Sequence, residues 1–266
     1  MLFIFALALS LLPVLYAQTN SSPLANVTQA FSQAQIVPDV LPSFAPTALA
    51  NITFSASTTN QVLNVTPGAL LTEPRKNNYS NQCLACRLND GTETATEPAF
   101  SLISSGTAQV ANQTYVLALV DPDAPSPQNT SLSQFLHFLG GGFRVNGTSG
   151  DPTRLANQSA ALMDYFPPTP PAGSPPHRYV LVVYSQPSGF ADSAPSFVNV
   201  STPRNNFNLT AFATSVQLGN PVAGNFFLVG PDNSTTTGTM TSAMPTGTET
   251  APPSTGTFAE RDWDGR

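Results

Sequence analysis

Histidine occurs twice in the 266 residues, at His137 and His177, and each follows a stretch built from corner-forming residues. Asp121-Pro122-Asp123-Ala124-Pro125 begins 16 residues before His137, and the proline-rich run Tyr165–Pro176 leads directly into His177-Arg178-Tyr179. An imidazole near neutral pH can grip an anion, ligate a metal or relay a proton between a carboxylate and a serine. A hydrolase of the last kind calls for a nucleophile on a tight Gly-x-Ser-x-Gly elbow. The sequence has no such motif, and Ser126 and Ser174 sit in proline-rich loops. A zinc site could draw three ligands from His137, His177 and Asp121, so ligand count alone does not exclude it. An anion pocket needs only hydrogen-bond donors on a stiff frame. The imidazoles and the Tyr179 hydroxyl can supply the donors, and Asp121 can orient one ring. Asp123 is assigned to the turn itself, and Arg178 to a structural ion pair or carbonyl contact.

These residues need strands to hold them. Tyr115–Val120 (YVLALV) is an almost continuous apolar run that stops at Asp121-Pro122, the pattern of a central strand buried on both faces. Prolines at 122, 125 and 127 then make a rigid corner that turns the two carboxylates different ways. Gln134–Gly140 is a second apolar run, which Gly140-Gly141-Gly142 is expected to stop. Tyr179–Tyr184 (YVLVVY) is a second central strand, with His177 and Tyr179 on one face and Arg178 on the other. Asn51–Phe54, Val62–Val65 and Phe100–Ile103 form further strands, and Ala223–Val229 the last. Residues 144–164 are expected as a surface excursion. Phe207–Val216 spaces Leu209, Phe212, Ala213 and Val216 along one face of a helix, and a short helix is expected over Gln29–Gln35.

The composition limits what such a frame could serve. Apolar residues make up 41% of the chain and support a core, whereas charged residues make up only 9% and the net charge is −6. The 26 prolines and 17 glycines favour turns and short strands over long helices. The nine basic residues form no stripe interleaved with aromatics, which argues against nucleic acid. Residues 2–16 are mostly apolar and end at Ala17-Gln18. They are too short for the roughly 20-residue membrane span and suit a signal peptide over 1–17, despite the missing positive n-region and Leu15 at the −3 position. Asn-x-Ser/Thr sequons stand at Asn20, Asn26, Asn51, Asn64, Asn78, Asn112, Asn129, Asn146, Asn157, Asn199, Asn208 and Asn233. Their glycans would take the place of the missing charges as a solubilising coat. Cys83 and Cys86 are the only cysteines. A redox pair and half of a zinc site are possible readings of that spacing, and a local disulfide in an oxidising compartment suits the polar surroundings best. The expected organisation is a signal peptide (1–17), an N-terminal arm (18–49), one domain (50–230) and a Ser/Thr/Pro-rich tail (231–266).

The ordered set Asp121-Pro122-Asp123-Ala124-Pro125-Ser126, His137-Phe138, Asp164-Tyr165, Pro170-Pro171-x-Gly173, His177-Arg178-Tyr179 and Tyr184 resembles the phosphatidylethanolamine-binding protein family. Phe207, Phe212-Ala213 and Leu218–Phe227 are similar to its closing segment, so the likeness covers about residues 50–229. It implies a mainly β fold, in which a large antiparallel sheet packs on a smaller one with few peripheral helices. It also implies an anion pocket of Asp121, Pro125, His137, Pro171, His177 and Tyr179 that takes phosphate or a phospholipid head group, with no enzymatic activity, cofactor or metal. Membrane contact would be peripheral at most and the protein a monomer. Some members resembling this chain inhibit serine carboxypeptidases and others scaffold signalling proteins, so a protein-binding regulator is the alternative. The chain departs from the family pattern at Leu132, Phe135, Pro167 and Thr169. Its leader, sequons and tail resemble an extracellular, glycosylated branch.

Overall fold

The computed structural model describes residues 22–55, 62–72, 94–105, 110–146 and 153–231. The signal peptide, Cys83, Cys86, Asn20, Asn78, Asn233 and all but the first residue of the tail lie outside them. The chain divides into two units, Met1–Asn233 and Ser234–Arg266, and every described residue belongs to the first. Its elements are α1 (Pro23–Gln33), α2 (Ile36–Asp39), β1 (Ala48–Ser55), β2 (Val62–Val65), β3 (Ala69–Thr72), β4 (Ala99–Ser104), β5 (Tyr115–Asp121), β6 (Phe135–Val145), β7 (Leu155–Asn157), β8 (His177–Ser185), α3 (Phe190–Ser193), α4 (Leu209–Ser215) and β9 (Pro221–Gly230). Among the described residues no helix is long and apolar enough to cross a membrane.

Two sheets form, mainly β as expected. The smaller has the order β2-β1-β4 and the larger β3-β9-β8-β5-β6-β7. All pairs are antiparallel except the edge pair β3–β9, which is parallel. Strict alternation explains how the large sheet keeps both faces dry. Tyr115, Leu117 and Leu119 of β5, with Tyr179, Leu181 and Val183 of β8, face the small sheet and meet Ala50, Ile52, Phe54 and Leu102. Val116, Ala118 and Val120, with Val180, Val182 and Tyr184, face the other way into a second core. That second core is closed by Val27 and Phe31 of α1, Phe44, Phe190 of α3, and Leu209 and Phe212 of α4. β5 is buried at every position, as a central strand covered on both faces should be.

Three expectations need adjusting. The first helix begins at Pro23 rather than Gln29, because Ser22 caps it by accepting from the Ala25 N–H (3.2 Å) and proline takes the first turn. Residues 22–49 pack into the domain instead of standing apart as an arm. Phe31 stacks on Phe44 with centroids 4.1 Å apart and meets Phe226 of β9 edge-on at 5.6 Å. The glycine run does not stop β6, which continues to Val145. Leu117 pairs Gly140 and Tyr115 pairs Phe143, so the run carries one extra residue on β6, with Gly142 at φ +77°. Glycine is the residue that such a left-handed bulge position favours. A Cβ on Gly141 would lie 2.5 Å from the Phe190 ring, so the run also lets α3 approach the sheet. Of the excursion expected over residues 144–164, Leu155–Asn157 forms β7 at the edge of the large sheet, paired with β6.

Candidate functional site

The end of β5, the start of β8 and the beginning of β6 meet at one end of the face between the sheets. Parity puts Asp121, His177 and Tyr179 on that face without further help. His137 arrives there by a different route. Leu119 pairs Phe138 while Val120 pairs Leu136, so His137 is an extra residue on β6 opposite no partner. A bulge re-aims the side chain it carries. Leu136 accordingly joins the helix-side core while Phe138 joins the inter-sheet core, although they are two residues apart. The His137 ring then lies 4.9 Å, edge-on, from the ring of Tyr179. The ring of His177 lies nearly parallel to that of Tyr179, with centroids 6.4 Å apart.

The hydrogen bonds assign the protons. His137 Nδ1 is 2.7 Å from the Phe166 carbonyl oxygen, which can only accept, so Nδ1 carries the hydrogen. The Phe166 N–H returns a bond to the His137 carbonyl at 2.8 Å. His177 Nδ1 donates to Asp121 Oδ2 at 2.8 Å, and the other Asp121 oxygen accepts from the Asp123 N–H at 2.7 Å. His177 Nε2 faces Ser174 Oγ at 2.9 Å. Ser174 is held by its N–H donating to the Pro171 carbonyl, across Gly173 at φ +83°. Asp121, His137, His177 and Tyr179 are all buried. Burial pushes the His137 pKa down from 6.5 to about 4. The Phe166 carbonyl and Asp121 oppose that shift, and Arg204 and His177 add to it. The ring is therefore neutral at physiological pH.

The structure thus brings together four of the six expected pocket residues, Asp121, His137, His177 and Tyr179. Pro171 is exposed and enters the site through its carbonyl, and Pro125 is half-buried on the corner after Asp123. Asp123 and Arg178 sit on the opposite face. Arg178 grips the Asp123 carboxylate with Nη2 at 2.7 Å and Nε at 3.0 Å, and reaches the Ala34 carbonyl and Asp39 with Nη1. Asp123 is structural, as expected, but it acts as the anion of a buried pair rather than as a turn cap.

Three contributors escaped the sequence reading. Ser174 reads from the sequence only as a nucleophile candidate without an elbow, and its spacing of three from His177 is the local signal of the contact. Phe166, 39% exposed, lies 5.7 Å from the Phe135 ring and 6.1 Å from that of His137. Arg204 lies over Phe166 and braces the bulge by donating to the carbonyls of Leu136, His137 and Asp164. Nothing local to Arg204 points to a site 67 residues earlier. Among the described residues no group of three or more His, Cys, Asp or Glu is placed to hold a metal ion. A concavity of about 520 Å³ lies at the far end of β5 and β8, beside Tyr115 and Ser185, away from both histidines.

Residues 63–227, more than half of the sequence, match the family described as phosphatidylethanolamine-binding protein. The chain belongs to this family. Its domain is 39% identical over 135 residues to a 26 kDa secreted antigen of Toxocara canis, covering 46% of this chain and 48% of the relative. It is 33% identical over 129 residues to the carboxypeptidase Y inhibitor of Saccharomyces cerevisiae, covering 42% and 58%. The chain thus spans about half the length of the curated relatives it matches. A crystal structure of carboxypeptidase Y inhibitor complexed with its cognate proteinase shares the fold, with a TM-score of 0.58 at 20% identity over 77% of this chain and 95% of that one. The relatives that this chain matches thus include one named as a secreted antigen and one named as a protease inhibitor.

Proposed function

We propose that this member of the family is an exported, glycosylated, non-enzymatic binding protein that takes a phosphate-bearing ligand at Asp121, Pro125, His137, Pro171, His177 and Tyr179. The observation that carries the reading is the convergence of both histidines, one aimed by a bulge and one by a buried carboxylate, on a single tyrosine. Polar groups held this rigidly in an apolar surround suit a preformed small-anion site. Export is supported by the secreted relative and by the sequons. Calorimetric titration with inorganic phosphate tests the pocket. The wild type is expected to bind, and His137→Ala with His177→Ala to lose at least tenfold in affinity while keeping its circular dichroism. Unchanged affinity in a folded double variant would refute the assignment.

A second reading is favoured by the carboxypeptidase Y inhibitor relative, namely that the protein inhibits a serine carboxypeptidase. Titration against carboxypeptidase Y addresses it. Inhibition that persists in the double histidine variant would assign that activity to a surface other than the pocket.

A further inference from the structure

The proton positions in the pocket bear on which phosphate it can take, given that the anion site itself is as assigned above. Each imidazole spends its Nδ1–H on an internal acceptor, Phe166 O for His137 and Asp121 Oδ2 for His177. A neutral ring with hydrogen on Nδ1 presents Nε2 as a lone pair. On His137, neutral at physiological pH, Nε2 is therefore a lone pair, and the set offers it and the Asp121 carboxylate as acceptors, while His177 Nε2 is taken up by Ser174 Oγ. Its hydroxyls are those of Tyr179 and Ser174, and Ser174 Oγ is already engaged, donating to the Pro175 carbonyl and facing His177 Nε2 at 2.9 Å each. A fully ionised phosphate brings acceptors only, and buried acceptors facing acceptors go unsatisfied. An anion that carries its own proton meets this set better.

We infer that the pocket selects a phosphomonoester in its singly protonated monoanionic form, with the P–O–H donating to His137 Nε2, over a phosphodiester, which has no such proton. The groups that face His137 are Asp121 from β5, His177 and Tyr179 from β8, and Arg204 from the segment before α4. Asp121 favours a proton on the ring, and burial, Arg204 and His177 oppose it. The proton therefore rides on the ligand, and binding is proton-linked wherever the free ligand is a dianion. Phosphomonoesters lose their second proton near pH 6.

Calorimetry with methyl phosphate and dimethyl phosphate, in buffers of different ionisation enthalpy, tests this. Methyl phosphate is expected to take up close to one proton on binding at pH 7.5 and close to none at pH 5. Its affinity should fall up to tenfold per pH unit above about 6. Dimethyl phosphate is expected to bind at least tenfold more weakly than methyl phosphate at pH 5.5. His137→Gln, which puts an amide donor where the lone pair stood, should reduce the proton uptake. Dimethyl phosphate bound as well as methyl phosphate would overturn the inference, and so would its binding with uptake of one proton, which would place the proton on an imidazole. Methyl phosphate bound without proton uptake at pH 7.5 would overturn it too. If neither ester binds the folded wild type, the anion-site reading fails and this inference with it.

Discussion

Asp121 and Asp123 stand two residues apart and do different work because the proline corner sends them to opposite faces of the sheet. Asp121 fixes the His177 ring. Asp123, with 5% of its side chain exposed, depends on Arg178 for neutralisation. Arg178→Met would leave that carboxylate buried with only a backbone N–H, and breaking one side of a buried pair costs about 3 kcal/mol. Urea unfolding should show that loss, with much of it recovered in Arg178→Met combined with Asp123→Asn. Removing the more exposed partner by Asp39→Ala should cost under about 1 kcal/mol. A loss for Arg178→Met no larger than that of Asp39→Ala would mean that Asp123 is not buried as described. His137 supplies a pH prediction. Its folded-state pKa, near 4, lies below the ordinary 6.5, so the unfolded chain binds the proton more readily between those values. The neutral ring's share of stability is whole above pH 6.5 and drains as pH falls towards 4, by about 1.4 kcal/mol per unit at its steepest and about 3 kcal/mol in all. His137→Gln should therefore lose less stability than the wild type between pH 6.5 and 4. Parallel acid limbs in denaturant unfolding would contradict a buried neutral ring. At this scale the residue types in the sequence disclosed Asp121, His177, Tyr179 and the opposed Arg178, because corner and strand parity are local. The orientation of His137 was hidden, since a bulge depends on what the neighbouring strand does.

The strands were legible wherever period two or a continuous apolar run dominated, as in β5, β8 and β9. Elements whose identity depends on a distant partner were not. β3 has four residues and exists by pairing in parallel with β9, and β7 has three and leans on β6. α1 reads as polar because only its Val27 and Phe31 are buried. Yet Phe31 fills a notch above Gly224, where a Cβ would stand 2.8 Å from its ring. Phe31→Ala empties that notch and should cost about 3–5 kcal/mol. Because α1 leans on Arg178 through the Ala34 carbonyl, the variant should also show faster amide exchange in α1 than in β5. A loss below about 1 kcal/mol would mean that residues 22–49 are an appendage after all.

A molecule with 9% charged residues must meet water through something else. Asn, Ser and Thr do part of this, and the outer face of the small sheet shows how. Asn51 and Thr53 point away from the core, with Thr53 donating to Asn64 at 3.0 Å. Of the nine described sequon asparagines, Asn26, Asn64, Asn112, Asn129, Asn146, Asn157, Asn199 and Asn208 are exposed, and Asn51 is half-buried within β1. Placement on the surface is what N-glycosylation requires, and it also means that the sugars would add little to a core already closed on both faces of the large sheet. If the protein is exported as proposed, enzymatic removal of N-glycans from the secreted material should lower its mass by several glycans. Peptide mapping should find Asn51 less occupied than the exposed sites. The melting temperature should move by only a few degrees, since surface groups contribute little to folding. Solubility should fall much further, because the coat that replaced charge is gone. Light scattering on the treated and untreated protein measures that contrast. Secreted protein whose mass is unchanged by the enzyme would show that the sequons are unused and that uncharged polar side chains alone keep this surface wet.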